Sequence, residues 1–246
     1  MSSVRGLGAT RTPITRIFVD SQLESGVSLD LPAGEAHHAF TVLRGREGDA
    51  IEVVDGRGRL FLAVLGRGQD ALVLHELPAG GEAEIILYQA VPKGGRMDLL
   101  VEKATEVGAA RIVPLLTERG VVKPREGKVE RWRRVAEAAA RQSLRLRVPE
   151  VCEPVPFSEA VWEAAGGILL HNADGLAPIE EVAGSPARLF IGPEGGWSEE
   201  ELRLAAEGGL RMAQLGPFRL RSETAGVVAV ARAIGAMERP MREEGS

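Results

Sequence analysis

Two short stretches, Phe190-Ile-Gly-Pro-Glu-Gly-Gly196 and Leu215-Gly-Pro-Phe-Arg-Leu-Arg-Ser-Glu-Thr-Ala225, carry the residue types that chemistry needs. Each follows an apolar run, Arg188 to Ile191 and Met212 to Leu215. Each leads into a helical pattern, from Ser198 and from about Ser222. Glycine-rich loops at the carboxyl ends of neighbouring strands leave backbone bare for a ligand to approach. Pro193 stiffens the first loop, Gly195 and Gly196 permit positive φ and close approach, and Glu194 is its only carboxylate. The second loop gathers Arg219, Arg221, Glu223 and the hydroxyls of Ser222 and Thr224. An arginine at a helix N-terminus opposes the helix dipole, so Arg221 is at home there when it faces an anionic partner. The plain alternatives are a strand-to-helix turn that needs glycine and a helix capped by Ser222. A mere turn needs neither three glycines nor a fixed acid. Lys93-Gly-Gly-Arg-Met-Asp98 follows another strand end, where Lys93 and Arg96 either hold phosphates or sit in a solvated turn.

The elements that must position these residues fall into two rhythms. From Arg16 to about Leu77 the pattern is β-like: Ile51–Val54, Leu60–Leu65 and Ala71–Leu74 are short apolar runs separated by glycine turns. Such strands predict a small barrel or sandwich. Residues 1–15 are polar and predicted loose, and Pro78-Ala-Gly-Gly81 reads as a linker. After Glu82 strands and helices alternate. The strands are Ile85 to Val91, Arg111 to Leu116 and Gly167 to Leu170. The helices are Arg96 to Val107, Lys128 to about Leu146, one opened by a Ser198/Glu201 capping box, and about Ser222 to Met237. This alternation predicts an α/β fold with a largely parallel sheet and helices on both faces. Gly66-Arg-Gly68-Gln-Asp-Ala71 matches a dinucleotide-binding pattern. Leu-Val-Leu follows it where a helix is needed, so it reads as a hairpin turn. No P-loop pattern occurs.

The chain has 246 residues and a net charge of −5. That charge hides an asymmetry: residues 111–147 hold 11 Lys/Arg against 4 acids, and residues 148–210 hold 2 Arg against 12 acids. Polyanions respond to such a local potential, although a solvated helix face gives the same counts. No apolar run has the length of a membrane span, no signal-peptide core is present, and Cys152 is the single cysteine. The expected compartment is the cytoplasm. His37, His38, His75, His171 and Cys152 form no familiar zinc spacing, so no metal is expected.

Taken together, the motifs resemble the ribosomal RNA small-subunit methyltransferase E (RsmE) family of the SPOUT superfamily, over nearly all the chain after Arg16. The resemblance is carried by His37-His-Ala-Phe-Thr-Val-Leu-Arg44, Gly48-Asp49 and Asp55-Gly56. It continues through Lys93-Gly-Gly-Arg-Met-Asp-Leu-Leu-Val-Glu-Lys-Ala-Thr-Glu-Val-Gly108, then Glu118-Arg119 with Val121-Val-Lys123. Ile191-Gly-Pro-Glu-Gly-Gly196 and Leu220-Arg-Ser-Glu-Thr-Ala225 complete it. It implies a small PUA-like β-barrel domain for RNA binding (residues 1–80), then a SPOUT-type, trefoil-knotted, mostly parallel α/β domain (81–246). It further implies a homodimer that moves a methyl group from S-adenosylmethionine to N3 of one uridine in small-subunit ribosomal RNA, in naked RNA or an assembled particle. The chain departs from the family pattern at Arg141-Gln-Ser-Leu-Arg145, where Glu-Gln-Ser/Cys-Gly-Arg is usual. It departs again at Pro217-Phe-Arg-Leu-Arg221, where Pro-Arg-Ile-Leu-Arg is usual, and Ser222 stands for a threonine.

S-adenosylmethionine carries no phosphate, so its cradle should be bare backbone over an apolar floor. Gly192, Pro193, Gly195, Gly196, Leu215, Gly216 and Leu220 fit that need, with Leu170 and His171 as a third wall. Uridine N3 carries a proton and pairs in a duplex, so the acceptor must be unpaired and lose its proton. Arg221 is the candidate for stabilising negative charge on the uracil or orienting a phosphate. Glu223 or Glu194 is the candidate for positioning the base or taking the proton. RNA-gripping candidates are Arg16, Arg44, Arg46, Arg57, Arg59, Lys93, Arg96, Arg131, Arg133, Arg134, Arg145 and Arg147, acting mostly on phosphates. The alternatives are a related knotted methyltransferase with another RNA target, such as a transfer-RNA ribose, and a non-catalytic RNA-binding or ribosome-assembly protein.

Overall fold

The computed structural model describes residues 12–120, 122 and 124–238; the expectations for residues 1–11, Val121 and Lys123 lie outside them. The chain divides into two units, Met1–Gly81 with Leu144–Arg147, and Glu82–Ser143 with Val148–Ser246. The short stretch Leu144–Arg147 is a part of the first unit that a single division at residue 80 leaves out.

The first unit is built on a five-stranded sheet. Its strands are β1 (Arg16–Phe18), β2 (Ser28–Asp30), β3 (Ala50–Val54), β4 (Leu60–Leu65) and β5 (Asp70–Leu77), in the order β1-β3-β4-β5-β2. Alternation along these strands puts Ile51, Val53, Phe61, Ala63 and Leu65 in one core with Ile17, Leu31 and Ala39. Residues Ile14 and Thr15, expected to be loose, are tied to β3: Ile14 N–H donates to Ala50 O and Glu52 N–H to Thr15 O, both at 2.9 Å. The β-like reading of this region also missed a helix, α1 (Ala33–His37), which runs into a π-helical turn at His38–Val42 and buries Ala36 and Ala39. The glycine pattern at Gly66–Ala71 is a hairpin turn: Asp70 accepts the Gly68 N–H at 2.9 Å, which holds the carboxyl below its usual range.

The Leu144–Arg147 stretch lies against this unit as an added strap. Leu146 O accepts the Gly58 N–H at 2.9 Å, and Leu144 O accepts from Arg16 Nη1 at 3.2 Å.

The second unit carries a seven-stranded sheet in which every pairing is parallel. The strands are β6 (Ile85–Ala90), β7 (Arg111–Leu116), β8 (Glu150–Val151), β9 (Val155–Pro156), β10 (Ile168–Leu170), β11 (Ala187–Ile191) and β12 (Arg211–Ala213). Their order is β12-β10-β11-β6-β7-β8, with β9 also on β7. Helices α2 (Met97–Glu106), α3 (Lys128–Gln142), α5 (Ile179–Val182) and α7 (Ser222–Met237) share one apolar core with Ile85, Leu87, Ile168, Leu189 and Ile191. Helices α4 (Phe157–Glu163) and α6 (Glu199–Glu207) share the opposite core with Ile86, Tyr88, Leu169 and Phe190. Both faces of the sheet are covered, so its central strands are continuous apolar runs. On that second face Tyr88 and Phe190, cross-strand partners, stack with ring centroids 4.3 Å apart. Burial raises the Tyr88 hydroxyl above its ordinary pKa, and it raises the Cys152 thiol likewise.

Three boundaries matter for the site. Ser198 opens α6 with a complete capping box, its hydroxyl accepting from Glu201 N at 3.1 Å and Glu201 accepting from Ser198 N at 2.9 Å. Helix α3 stops at Gln142, four residues before the expected end near Leu146, because Leu144 turns to φ +56°. Helix α7 begins at Ser222, so the second glycine loop ends on a helix N-terminus.

Candidate active site

A cavity of about 580 Å³ opens at the carboxyl ends of β10, β11 and β12. The two glycine loops, expected at the ends of neighbouring strands, follow strands that are not adjacent. Strand β10 lies between β11 and β12, so its end, Leu170-His171-Asn172, is the middle wall between the loops. Ligands of open parallel sheets bind at this end of the strands. Leu170, His171, Gly192, Pro193, Gly195, Gly196, Leu215, Gly216 and Leu220 all line the cavity, as do Glu194 and Arg221.

The first loop is held in place by side chains that the sequence reading had not assigned to the site. Trp197 Nε1 donates to Leu170 O at 3.0 Å, tying the loop after β11 to the end of β10. Arg119 Nη1 donates to Gly195 O at 3.3 Å and to Trp197 O at 3.0 Å. Gly196 takes φ +71°, the left-handed conformation that favours glycine. Gly195 does not; a Cβ there would make a tight contact with Arg119, 3.3 Å from its Cβ.

The second loop is fastened to the first. Arg219 Nη2 donates to Glu194 O at 3.0 Å. Ser222 Oγ donates to Gly192 O at 2.7 Å and accepts from Gln89 Nε2 at 2.8 Å. Gln89 is fully buried, and its amide also donates to Ala90 O at 2.9 Å. A lone polar residue in the apolar run of β6 was the available signal for this link, since a buried amide must find partners.

Charge at the site is divided unevenly. Arg221, the N-cap of α7, is exposed, and its side chain makes no hydrogen bond or ion pair among the described residues. Glu194 Oε1 accepts the Lys93 N–H at 3.1 Å and lies 3.9 Å from Arg96 Nη1. Glu223, a candidate for work on the acceptor, does not line the cavity. The first turn of α7 buries it, with Oε1 3.5 Å from Arg96 Nε and Oε2 without a hydrogen-bond partner. Its side chain therefore meets Arg96 and not the cavity. Arg96 in turn is engaged by two carboxylates and is not a free cation for phosphate.

The other cationic candidates separate by environment. Arg44, Arg46, Lys93, Arg131 and Arg134 are exposed. Arg131 is paired with Asp98 at 2.5 Å, and Arg16 with Glu52 at 2.7 Å. Arg59 is held by Glu76 and lies over the Phe61 ring, with its guanidinium carbon 4.7 Å from the ring centroid. Arg145 is only 7% exposed and so cannot present a guanidinium to RNA, which corrects its place among the gripping residues.

The loop backbone, with Leu170, Ile191, Leu215, Leu220 and Ala225, suits a small ligand with no phosphate, while Arg119, Arg219 and Arg221 add positive charge to the same cavity. Among the described residues no three His, Cys, Asp or Glu side chains gather as a metal-holding group, and no helix is long and apolar enough to cross a membrane.

Comparison with known proteins agrees with this geometry. Residues 81–234 match an RNA methyltransferase domain and residues 31–70 an RNA methyltransferase PUA domain. The ribosomal RNA small subunit methyltransferase E of Synechocystis is 34% identical over 88% of this chain and 76% of its own length. The structure of the enzyme of that name from Neisseria gonorrhoeae, bound to S-adenosyl methionine, aligns with a TM-score of 0.75 at 29% identity over 90% of this chain and 97% of that one. A Legionella pneumophila protein solved with its bound cofactor SAM aligns with a TM-score of 0.73 at 30% identity, over 92% and 98% of the two chains.

Proposed function

The chain belongs to the ribosomal RNA small subunit methyltransferase E family, and from that premise we propose that it methylates N3 of one uridine in small-subunit ribosomal RNA, with S-adenosylmethionine as donor. The observation that carries the reading is the cavity: bare loop backbone and apolar side chains at three strand ends, with the unpaired Arg221 at its wall. When bound, S-adenosylmethionine supplies a methyl group already activated on a sulfonium. The loops at Gly192–Gly196 and Leu215–Leu220, with Leu170 and His171, would hold it. The protein's remaining task is to align and deprotonate the acceptor.

The uracil must be unpaired to expose N3, and N3 must lose its proton as it is methylated. Arg221 stabilises the negative charge that develops on a uracil oxygen. Glu194 lines the cavity and takes the proton or orients the base. Glu223 positions the site by holding Arg96. Exposed Arg44 and Arg46 of the first unit and Lys93, Arg131 and Arg134 of the second grip phosphates. Residues 1–80 thus serve RNA binding and residues 81–246 catalysis, in the cytoplasm where ribosomal particles assemble. A stripe of small residues on α7, with Thr224, Ala231 and Gly235 exposed, supports a homodimer. The interleaved order β12-β10-β11 is consistent with a trefoil knot in the same segment.

The test is methyl transfer from labelled S-adenosylmethionine to small ribosomal subunits lacking the modification, with naked ribosomal RNA alongside and the product mapped by mass. N3-methyluridine at one site is expected, with subunits preferred. A 2′-O-methyl product would overturn the assignment of the acceptor. Absence of cofactor binding would leave an RNA-binding protein.

A further inference from the structure

We infer that Phe218 is a stacking platform for the unpaired RNA base at the mouth of the cavity; this rests on the reaction proposed above and names a residue that the reaction does not yet use. Phe218 is 80% exposed, the most exposed large apolar side chain among the described residues, ahead of Val42 at 58%. It joins none of the three apolar cores, so folding does not account for it.

The exposure does not come from an unanchored loop. Arg219 Nη2 is bonded to Glu194 O at 3.0 Å, and Ser222 Oγ to Gly192 O at 2.7 Å, so the backbone is fastened on the carboxyl side of Phe218. The ring is thus displayed at the cavity wall by a fixed segment. Arg219, next to it in sequence, and Arg221, three residues on and with an unpaired side chain, line the same cavity. A bare aromatic face with cations beside it selects a ligand that is planar and carries negative charge. A nucleotide drawn out of its stack has both properties, and it needs a replacement for the stacking it has lost. S-adenosylmethionine is a cation without phosphate, which makes it the poorer fit to this rim.

Three substitutions and one cross-link test the inference. Phe218→Leu keeps an apolar side chain and removes the aromatic face; Phe218→Ala removes both, and Phe218→Tyr keeps the face. With small ribosomal subunits as substrate, Leu and Ala should lower kcat/KM for RNA by roughly 10- to 100-fold, the loss expected for one base–aromatic stack. The affinity for S-adenosylmethionine and the native mass should not change, and Tyr should restore activity. Small-subunit RNA transcribed with 5-iodouridine should cross-link to Phe218 under long-wavelength light, and the variant with Leu should lose that cross-link. Wild-type activity in the variant with Leu would overturn the inference. So would weakened cofactor binding, which would make Phe218 a cofactor wall, or an altered native mass, which would make it a contact between two copies. Should the wild type transfer no methyl group to any ribosomal substrate, the proposed function fails, and the position of the cross-link alone decides the role of Phe218.

Discussion

The hydroxyl of Ser222 donates a 2.7 Å hydrogen bond to the carbonyl of Gly192, thirty residues earlier, and so joins the first turn of α7 to the glycine loop after β11. The same oxygen accepts from the buried Gln89 amide at 2.8 Å. Ser222→Ala removes both bonds and leaves a part-buried carbonyl without its donor. The cost should be about 1–3 kcal/mol. For a chain of this size each kcal/mol lowers Tm by about 2–4 °C. Cofactor affinity should fall as well, because Gly192 lines the cavity. Ser222→Thr keeps the hydroxyl and should retain both properties. Calorimetric unfolding and cofactor titration measure the two effects separately.

Gly195→Val tests the cradle from its other side. A Cβ at Gly195 would meet Arg119 Cβ at 3.3 Å, and valine adds two methyl groups beyond that point. Arg119 must then shift and is expected to give up its bonds to Gly195 O and Trp197 O. Two such bonds, at about 0.5–1.5 kcal/mol each, correspond to roughly a tenfold loss of cofactor affinity. Equal affinity in the variant and the wild type would place the cofactor elsewhere.

Local signals in the sequence located the elements well where the chemistry was local. The Ser198/Glu201 capping box and the start of α7 at Ser222 are properties of neighbouring residues, and both stand where the sequence indicated. The end of α3 is not such a property. Ser143-Leu-Arg-Leu contains no helix breaker, yet Leu144 turns to φ +56° and the segment leaves to join the first unit, with Arg145 buried. Tertiary burial overrode propensity there. The same limit governed the site. Periodicity identified the strands before the glycine loops but carried no information on strand order, so β10 between them was not foreseen. The residues Arg119, Trp197 and Gln89 act on the site through contacts made only when distant segments meet. Glu223 read as a free carboxylate because its partner, Arg96, lies far away in sequence.

Arg221→Ala should separate binding from catalysis. Arg221 is exposed and lacks an ion pair among the described residues, so its removal leaves the loop fastenings at Arg219 and Ser222 intact. If it stabilises charge developing on the acceptor, kcat should fall by about 10²–10³, as for the loss of a donor to a developing oxyanion. Cofactor affinity should not change. Arg219→Ala should do the reverse: it breaks the bond to Glu194 O and should weaken cofactor binding. Near-normal turnover of Arg221→Ala at saturating RNA would remove Arg221 from the mechanism.

The salt dependence of RNA binding should distinguish gripping arginines from structural ones. Arg44 and Arg46 are both exposed, near the end of the helical segment of the first unit. Each phosphate contact contributes roughly 0.7–0.9 to the slope of log affinity against log salt. Arg44→Ala with Arg46→Ala should therefore reduce that slope by about 1.4–1.8, with little change in Tm. Arg145→Ala should leave the slope unaltered and lower Tm, because the residue is buried and has a partner within the protein. The two outcomes exchanged would make Arg145 the RNA contact and Arg44 and Arg46 merely solvated charges. Filter binding across a salt series, with calorimetry of the same samples, reads both quantities.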